Sequence, residues 1–293
     1  MNRKHFLKSL FLLPAGALAM QLKDFHKEAS DFSASQKMPV LFIGHGNPMN
    51  AIFDNSFTRT LSDLGKRLER PNAVLVVSAH WLTRGETSVA VSPNPETIYD
   101  FYGFPPEMYQ VKYPAPGSPA TARELVQNVQ SIQVHEDHEM GFDHGAWTIL
   151  KHIFPKADIP VFQLSIDYNK PPQWHFDLAA ELKKLREKGV LIIGSGNIVH
   201  NLRMMDFQKE AAQFEWAIEF DEFVKNKIAS KDFQSLINYQ EQGRAAQLSV
   251  PTNDHYLPML YSLGLLDKKE EVSFTFETVQ NGSISMRCFE TAA

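Results

Sequence analysis

Five histidines stand in short stretches whose composition suits chemistry. His45 lies in "VLFIGHGNP", His80 in "VLVVSAHW", His200 in "VLIIGSGNIVH", His144 in "EMGFDHGAW" and His255 in "TNDHYLPML". A neutral imidazole is the commonest protein ligand for zinc and non-haem iron, and its ordinary pKa also suits proton transfer near neutrality. The single cysteine, Cys288, excludes both a thiolate-cluster metal site and an intrachain disulfide framework. A metal in this chain must therefore be held by histidine and carboxylate. Two or three imidazoles with open coordination positions would leave room for water, substrate or dioxygen.

A lone histidine is usually a hydrogen-bonded part of the scaffold. Three that end strands, two of them with glycine close by, argue for more, because glycine permits positive φ and close backbone approach in a crowded site. His45 follows the apolar run 40–44, His80 closes the run 73–80, and His200 comes shortly after 190–196. In open α/β sheets, ligands bind beyond the carboxyl ends of the strands. His255 reads as part of a loop entering a helix, and His144 as part of a loop. His152 and His175 fall on helical patterns as surface or packing residues. His135 and His138 sit among Glu136, Asp137 and Glu139, which reads as a solvated acidic loop.

The elements that must position these residues alternate along the chain. The runs 40–44, 73–80, 159–166 and 190–196 are rich in Val, Ile and Leu without polar alternation, as strands buried on both faces are. Helical patterns occupy 56–69, opening on a Ser or Thr cap, then 118–131, opening on Ser118 and Pro119, then 174–189, closing on basic residues and Gly189, and 207–230. Residues 271–290 alternate around Asn281-Gly282 and read as a hairpin. The pattern predicts an α/β fold: a single domain with a mostly parallel central sheet flanked by helices and a C-terminal β-hairpin.

Several function classes fall away. Net charge is −5 with no basic stripe, so nucleic acid has no electrostatic footprint. "GSGNIVH" is not a dinucleotide-binding glycine pattern, and no GxSxG elbow marks a serine hydrolase. No repeat or low-complexity block interrupts residues 38–293. The first twenty residues, "MNRKHFLKSLFLLPAGALAM", run from basic to apolar to small, the layout of a signal peptide, with an apolar stretch too short for a stable membrane span. "NRKHFLK" is similar to a twin-arginine export signal, with Lys4 at the second arginine position. The expectation is an exported, periplasmic protein, with residues 1–20 as signal, 21–37 as linker and 38–293 as the catalytic domain; a cytoplasmic protein with an amphipathic N-terminal helix is the alternative.

The chain resembles a family through "LFIGHGNPMN", "VVSAHWLTRG", "YDFYGFPPEMYQVKYPAPGSP", "GFDHGAWTIL", "ADIPVFQLSID", "GSGNIVHNLR" and "HYLPMLYSLG", in order over nearly all of residues 38–290. These are similar to the DOPA 4,5-dioxygenase branch of the class III extradiol ring-cleaving dioxygenases. The resemblance implies one divalent metal per chain, zinc or non-haem Fe(II), on His45, His80 and His255, with His200 at or beside the same site. Relatives in the wider class use two histidines and a glutamate; here His255 stands where that carboxylate would be. The partners implied are a small-molecule catechol, DOPA-like, and dioxygen. His200 or His144 would move protons: His144 if His200 ligates the metal, His200 if it stands off. Trp81 and Tyr256 would wall the ring, and Ser195 and Asn197 would bond substrate or orient a ligand imidazole. Two other readings use the same residues, a zinc-dependent hydrolase with a metal-bound hydroxide and an exported zinc scavenger. The aromatic loops at 99–110 and 111–119 favour an organic ligand over the scavenger.

Overall fold

The structure, a computed structural model, describes residues 37–208 and 211–291. The expected signal segment and residues 21–36 of the expected linker lie outside the described residues. Lys37 already belongs to the folded unit, since its Nζ lies 2.5 Å from Asp267 and 2.9 Å from Glu270.

Ten strands are described: β1 (Val40–Gly44), β2 (Ala73–Thr83), β3 (Thr87–Ala90), β4 (Val134–Asp137), β5 (Val161–Asp167), β6 (Val190–Gly196), β7 (Val272–Phe276), β8 (Val279–Gln280), β9 (Ile284–Ser285) and β10 (Cys288–Thr291). The helices are α1 (Ser56–Arg67), α2 (Pro119–Asn128), α3 (His144–Ile153), α4 (Pro172–Glu181), α5 (Lys183–Glu187), α6 (Glu215–Ala229), α7 (Phe233–Ile237), α8 (Gly243–Ser249) and α9 (Leu257–Gly264), joined in places by short 3₁₀ turns. Eight strands form one sheet in the order β4-β3-β5-β2-β6-β1-β10-β7. Its centre is parallel, with β6 between β1 and β2, and β5 beyond β2. Antiparallel joins bring in the margins, β3 against β5 and β10 between β1 and β7.

The unbroken apolar runs have a simple cause. Alternate residues of each central strand enter two separate cores: Val40, Phe42, Leu75 and Ile192 on one face, Leu41, Ile43, Val76 and Ile193 on the other. Since side chains alternate across a strand, a sheet covered by helices on both faces needs hydrophobic residues at every position.

The differences from the sequence reading lie at element ends. Asn55, rather than a Ser or Thr, caps α1, in a reciprocal capping box with Thr58. Ser118 precedes α2, but its hydroxyl donates to Thr121 Oγ1 and caps no backbone N–H. The expected helix over 174–189 breaks at Leu182 into α4 and α5. The expected helix over 207–230 begins only at Glu215, because the Phe214 N–H is spent on the Gly282 carbonyl. The tail is more than a single hairpin. β8 and β9 form a small one around Asn281 and Gly282, both at positive φ, while β7 and β10 continue outward to pair at the sheet margin.

Candidate metal centre

β1 and β2 end on the same side of the sheet and deliver His45 and His80. His80 lies inside β2, in the stretch between Val77 and Leu82 where the register against β5 shifts. Such an irregularity re-aims a side chain, here toward His45. The Nε2 atoms of the two rings lie 3.1 Å apart. His255 arrives from the segment entering α9, held by its carbonyl accepting from the Asn197 N–H at 2.9 Å. Gly196 makes that approach possible, because a Cβ there would stand 2.2 Å from the His255 carbonyl oxygen. His45, His80 and His255 each offer a ligand atom within 4.8 Å of the others.

The opposite ring nitrogens fix the tautomers. Ser195 Oγ donates to the Gly145 carbonyl at 2.6 Å, so toward His45 Nδ1, 3.0 Å away, it accepts. Asp254 Oδ2 faces His255 Nδ1 at 2.5 Å, and Asp100 Oδ2 faces His80 Nδ1 at 3.3 Å. His45 and His255 then carry the proton on Nδ1 and keep a lone pair on Nε2, the arrangement by which histidine ligates metal. Burial, then the neighbouring histidines, hold the pKa of His45 and of His80 well below 6.5. Both are neutral at neutral pH, as ligands must be. The donor set suits a divalent ion.

His144 and His200 flank this trio. His144 is not in a loop: it opens α3, whose N-cap is Asp143. Asp143 also accepts from Ser78 and Gln163, each at 2.6 Å, and so pins the start of α3 to β2 and β5. Asp100 grips His144 twice, at its backbone N–H and at Nδ1, each 2.8 Å away. Burial opposes the Asp100 charge, but the contacts with His144 outweigh it and its pKa lies below the usual carboxylate range. His200 is outside the three-histidine group but offers a ligand atom within 4.8 Å of those of Asp254 and His255, as His144 does with His80 and Asp100. The His200 ring stacks on that of His255, with centroids 3.5 Å apart and planes 9° from parallel. Burial, and next His255, push its pKa down to about 2, against the pull of Asp254.

All five histidines line one cleft of about 480 Å³, within the range of small-molecule sites. Its outer wall includes Phe101, Tyr102 and Phe104 from the aromatic loop, so that loop shapes a pocket as its composition suggested. The following segment packs instead: Tyr113 is buried and its hydroxyl donates to the Phe154 carbonyl.

Two expected wall residues are elsewhere. Tyr256 is fully buried among Phe220 and Tyr239, with its hydroxyl on the Leu236 carbonyl. Trp81 is also buried and is not among the residues lining the cleft, because neighbours along a strand face opposite sides. Ser195 meets His45 rather than the cleft, and Asn197 donates from its amide to the Ser285 carbonyl. His175 is buried against Tyr261 and His152 bonds the Asn50 carbonyl, both as packing residues. His135 lies on the edge strand β4 and His138 just beyond it; neither joins a candidate metal group among the described residues. The sequence reading missed Asp100, Asp143 and Asp254. Asp254 could have been found by its adjacency to His255, but nothing in the chain order links Asp100 to His144.

Residues 37–286 match the family described as the catalytic LigB subunit of aromatic ring-opening dioxygenase. The chain belongs to that family. It is 46% identical over 257 residues to the 4,5-DOPA dioxygenase extradiol of Escherichia coli K12, covering 86% of this chain and 94% of that protein. The protein of the same name from Beta vulgaris is 33% identical over 256 residues, covering 84% and 93%. A crystal structure of an uncharacterized protein from Escherichia coli K12 superposes with a TM-score of 0.77 at 42% identity, covering 87% of this chain and all of that one. Membership makes this chain a metal-dependent extradiol dioxygenase. No helix among the described residues is long and apolar enough to cross a membrane.

Proposed function

We propose that the enzyme opens the ring of a catechol with dioxygen on an Fe(II) ion held by His45, His80 and His255, with His200 as the proton-transferring residue. The observation that carries this is the convergence of three imidazole ligand atoms, within 4.8 Å of one another, on a cleft large enough for an aromatic ring. A metal held by these three histidines would supply Lewis acidity toward the catechol oxygens and, if iron, a redox couple for dioxygen chemistry. Zinc fits the same donors but cannot change redox state, so we assign it to a resting form.

The protein's own groups do the rest. His200 and His144 both line the cleft beside the trio, and we assign the base to His200, whose ring lies flat on that of His255. It is neutral in the free enzyme and so can accept a catechol hydroxyl proton. The negative charge left on the ring oxygen then favours the imidazolium. His144, gripped by Asp100 at two atoms, serves as a fixed wall and dipole beside His80, with ring centroids 3.8 Å apart. DOPA is the first substrate to test, since the relatives carry that name.

The decisive experiment is oxygen uptake with DOPA and with unsubstituted catechol, before and after anaerobic Fe(II) loading verified by metal analysis. Uptake with a yellow ring-opened product, dependent on iron, is expected. Iron-loaded protein that consumes no oxygen with any catechol would return the site to the hydrolytic reading, which none of these relatives' names supports. The N-terminal pattern also leads us to propose export; N-terminal sequencing of mature protein should find a start near Met20.

A further inference from the structure

Beside His200 the cleft wall is an ordered row. His200 forms an isolated antiparallel bridge with Ile284, and Ile284 pairs with Gln280 in the small hairpin of β8 and β9. Residues directly opposed in antiparallel strands present their side chains on one face, and His200, Ile284 and Gln280 all line the cleft. The alternate positions turn away from it: Val279 is buried in the core, and the Ser285 hydroxyl donates to Asp221. Neighbouring strands lie about 5 Å apart, so Gln280 stands about 10 Å from His200 along the row. The end of β1 reaches the same hairpin. Gly46 lies against the residue after β9, so closely that a Cβ there would stand 2.3 Å from the Met286 sulfur. Asn47, which follows Gly46, also lines the cleft.

Among the described residues lining the cleft there is no Lys or Arg, so an anionic group on a substrate must be met by neutral donors. Three side-chain amides line the cleft, those of Asn47, Gln280 and Asn281. Asn281 has spent its amide N–H on the Asp206 carbonyl, 2.8 Å away. Asn47 uses its Oδ1 to accept from the Met49 N–H at 2.9 Å, which leaves Nδ2 as its free end. Gln280 is half-buried, and among the described residues its side chain makes no hydrogen bond. A ligand that covers this amide strips its water and must supply a partner in return, since an unpaired buried polar group costs free energy. Amide N–H groups that meet a carboxylate form charge-assisted hydrogen bonds, stronger than neutral ones.

Resting on the dioxygenase reading above, we propose that Gln280, with Asn47 as second donor, determines specificity by taking the carboxylate of a catechol that bears an amino-acid or carboxyalkyl side chain. The catechol hydroxyls face the histidines, and the side chain runs over Ile284 to the amides. An extended catechol of this kind, from hydroxyl to carboxylate, covers a span comparable with the row from His200 to Gln280.

Binding without turnover separates this claim from the dioxygenase reading. Zinc-loaded full-length protein, which is redox-inert, is titrated calorimetrically with DOPA and 3-(3,4-dihydroxyphenyl)propionate, which carry the carboxylate, and with dopamine and 4-propylcatechol, which do not. The variable residue is Gln280, because Asn47 also caps a turn beside His45 and its replacement would mix two effects. Gln280→Ala should raise Kd for the two carboxylates by about 10- to 100-fold relative to Kd for the other two, the factor for a hydrogen bond to a charged group. Gln280→Glu, similar in size but acidic, should shift the preference toward dopamine. In the iron-loaded enzyme, Gln280→Ala should raise KM for the carboxylates far more than it lowers kcat. An equal loss across all four ligands, or no loss, overturns the subsite even if iron supports ring cleavage. Selective loss of the carboxylates in a protein that cleaves no catechol keeps the subsite and removes the dioxygenase reading.

Discussion

At the scale of single residues, each ligand imidazole depends on one partner. Removing a ligand and removing its orienting group should therefore be distinguishable. His45→Ala should abolish stoichiometric metal and oxygen uptake together. Ser195→Ala should keep the fold and weaken metal affinity by about 10- to 100-fold, the usual effect of losing an orienting partner, read by competition with a chelator. Equal affinity in Ser195→Ala would mean that the 3.0 Å contact with His45 does not set the ring. His200→Gln should retain metal while losing about 10²- to 10⁴-fold in kcat, the range for general acid–base catalysis. Loss of metal in that variant would instead make His200 a ligand.

At the scale of elements, the site depends on the fit between the end of β6 and the chain entering α9. A methyl group at Gly196 would press on the His255 carbonyl oxygen from 2.2 Å. Gly196→Ala should cost about 1–3 kcal/mol in urea unfolding, as overpacking does, and should lower metal occupancy by shifting His255. Unchanged metal content would show that the α9 entrance adapts. Much of this architecture was legible in the chain. The four central strands announced themselves because burial on both faces forces unbroken Val, Ile and Leu. Their ends placed His45 and His80, and the glycines nearby hinted at crowding. Where sequence reading failed, the deciding contacts were distant in the chain. Phe214 gives its N–H to Gly282, and that long-range bond, not local helix preference, sets where α6 begins. Asp100 meets His144 across 44 residues. Tyr256 looked like a wall residue from its neighbour His255, but packing around Phe220 and Tyr239 turned it into the core.

At the scale of the whole molecule, the buried neutral histidines couple stability to pH. His45, His80, His175 and His200 all have pKa values below the ordinary 6.5, His175 at about 4. In the unfolded chain they titrate near 6.5, so below that pH the unfolded state binds the more protons and unfolding is favoured. Above 6.5 both states are neutral and the effect vanishes. Metal-free protein should accordingly lose stability as pH falls from 6.5 toward 4, by up to about 1.4 kcal/mol per unit for each such histidine. Urea midpoints at pH 7.5, 6 and 5 in chelator would report it, and a constant midpoint would contradict the assignment of neutral rings. Bound metal should blunt the decline, because it holds the same imidazoles deprotonated until acid competes it away.

The three imidazoles of the metal group stand at positions 45, 80 and 255 of 293. During synthesis the first two leave the ribosome long before the third, and β10, which flanks β1, follows later still. For most of its time as a nascent chain this protein lacks the third imidazole of that group. Capture of an ion by all three imidazoles is therefore a late event in the making of this chain. A product ending between residues 80 and 255 would carry the first two histidines without the third, so metal occupancy reports that synthesis has passed residue 255.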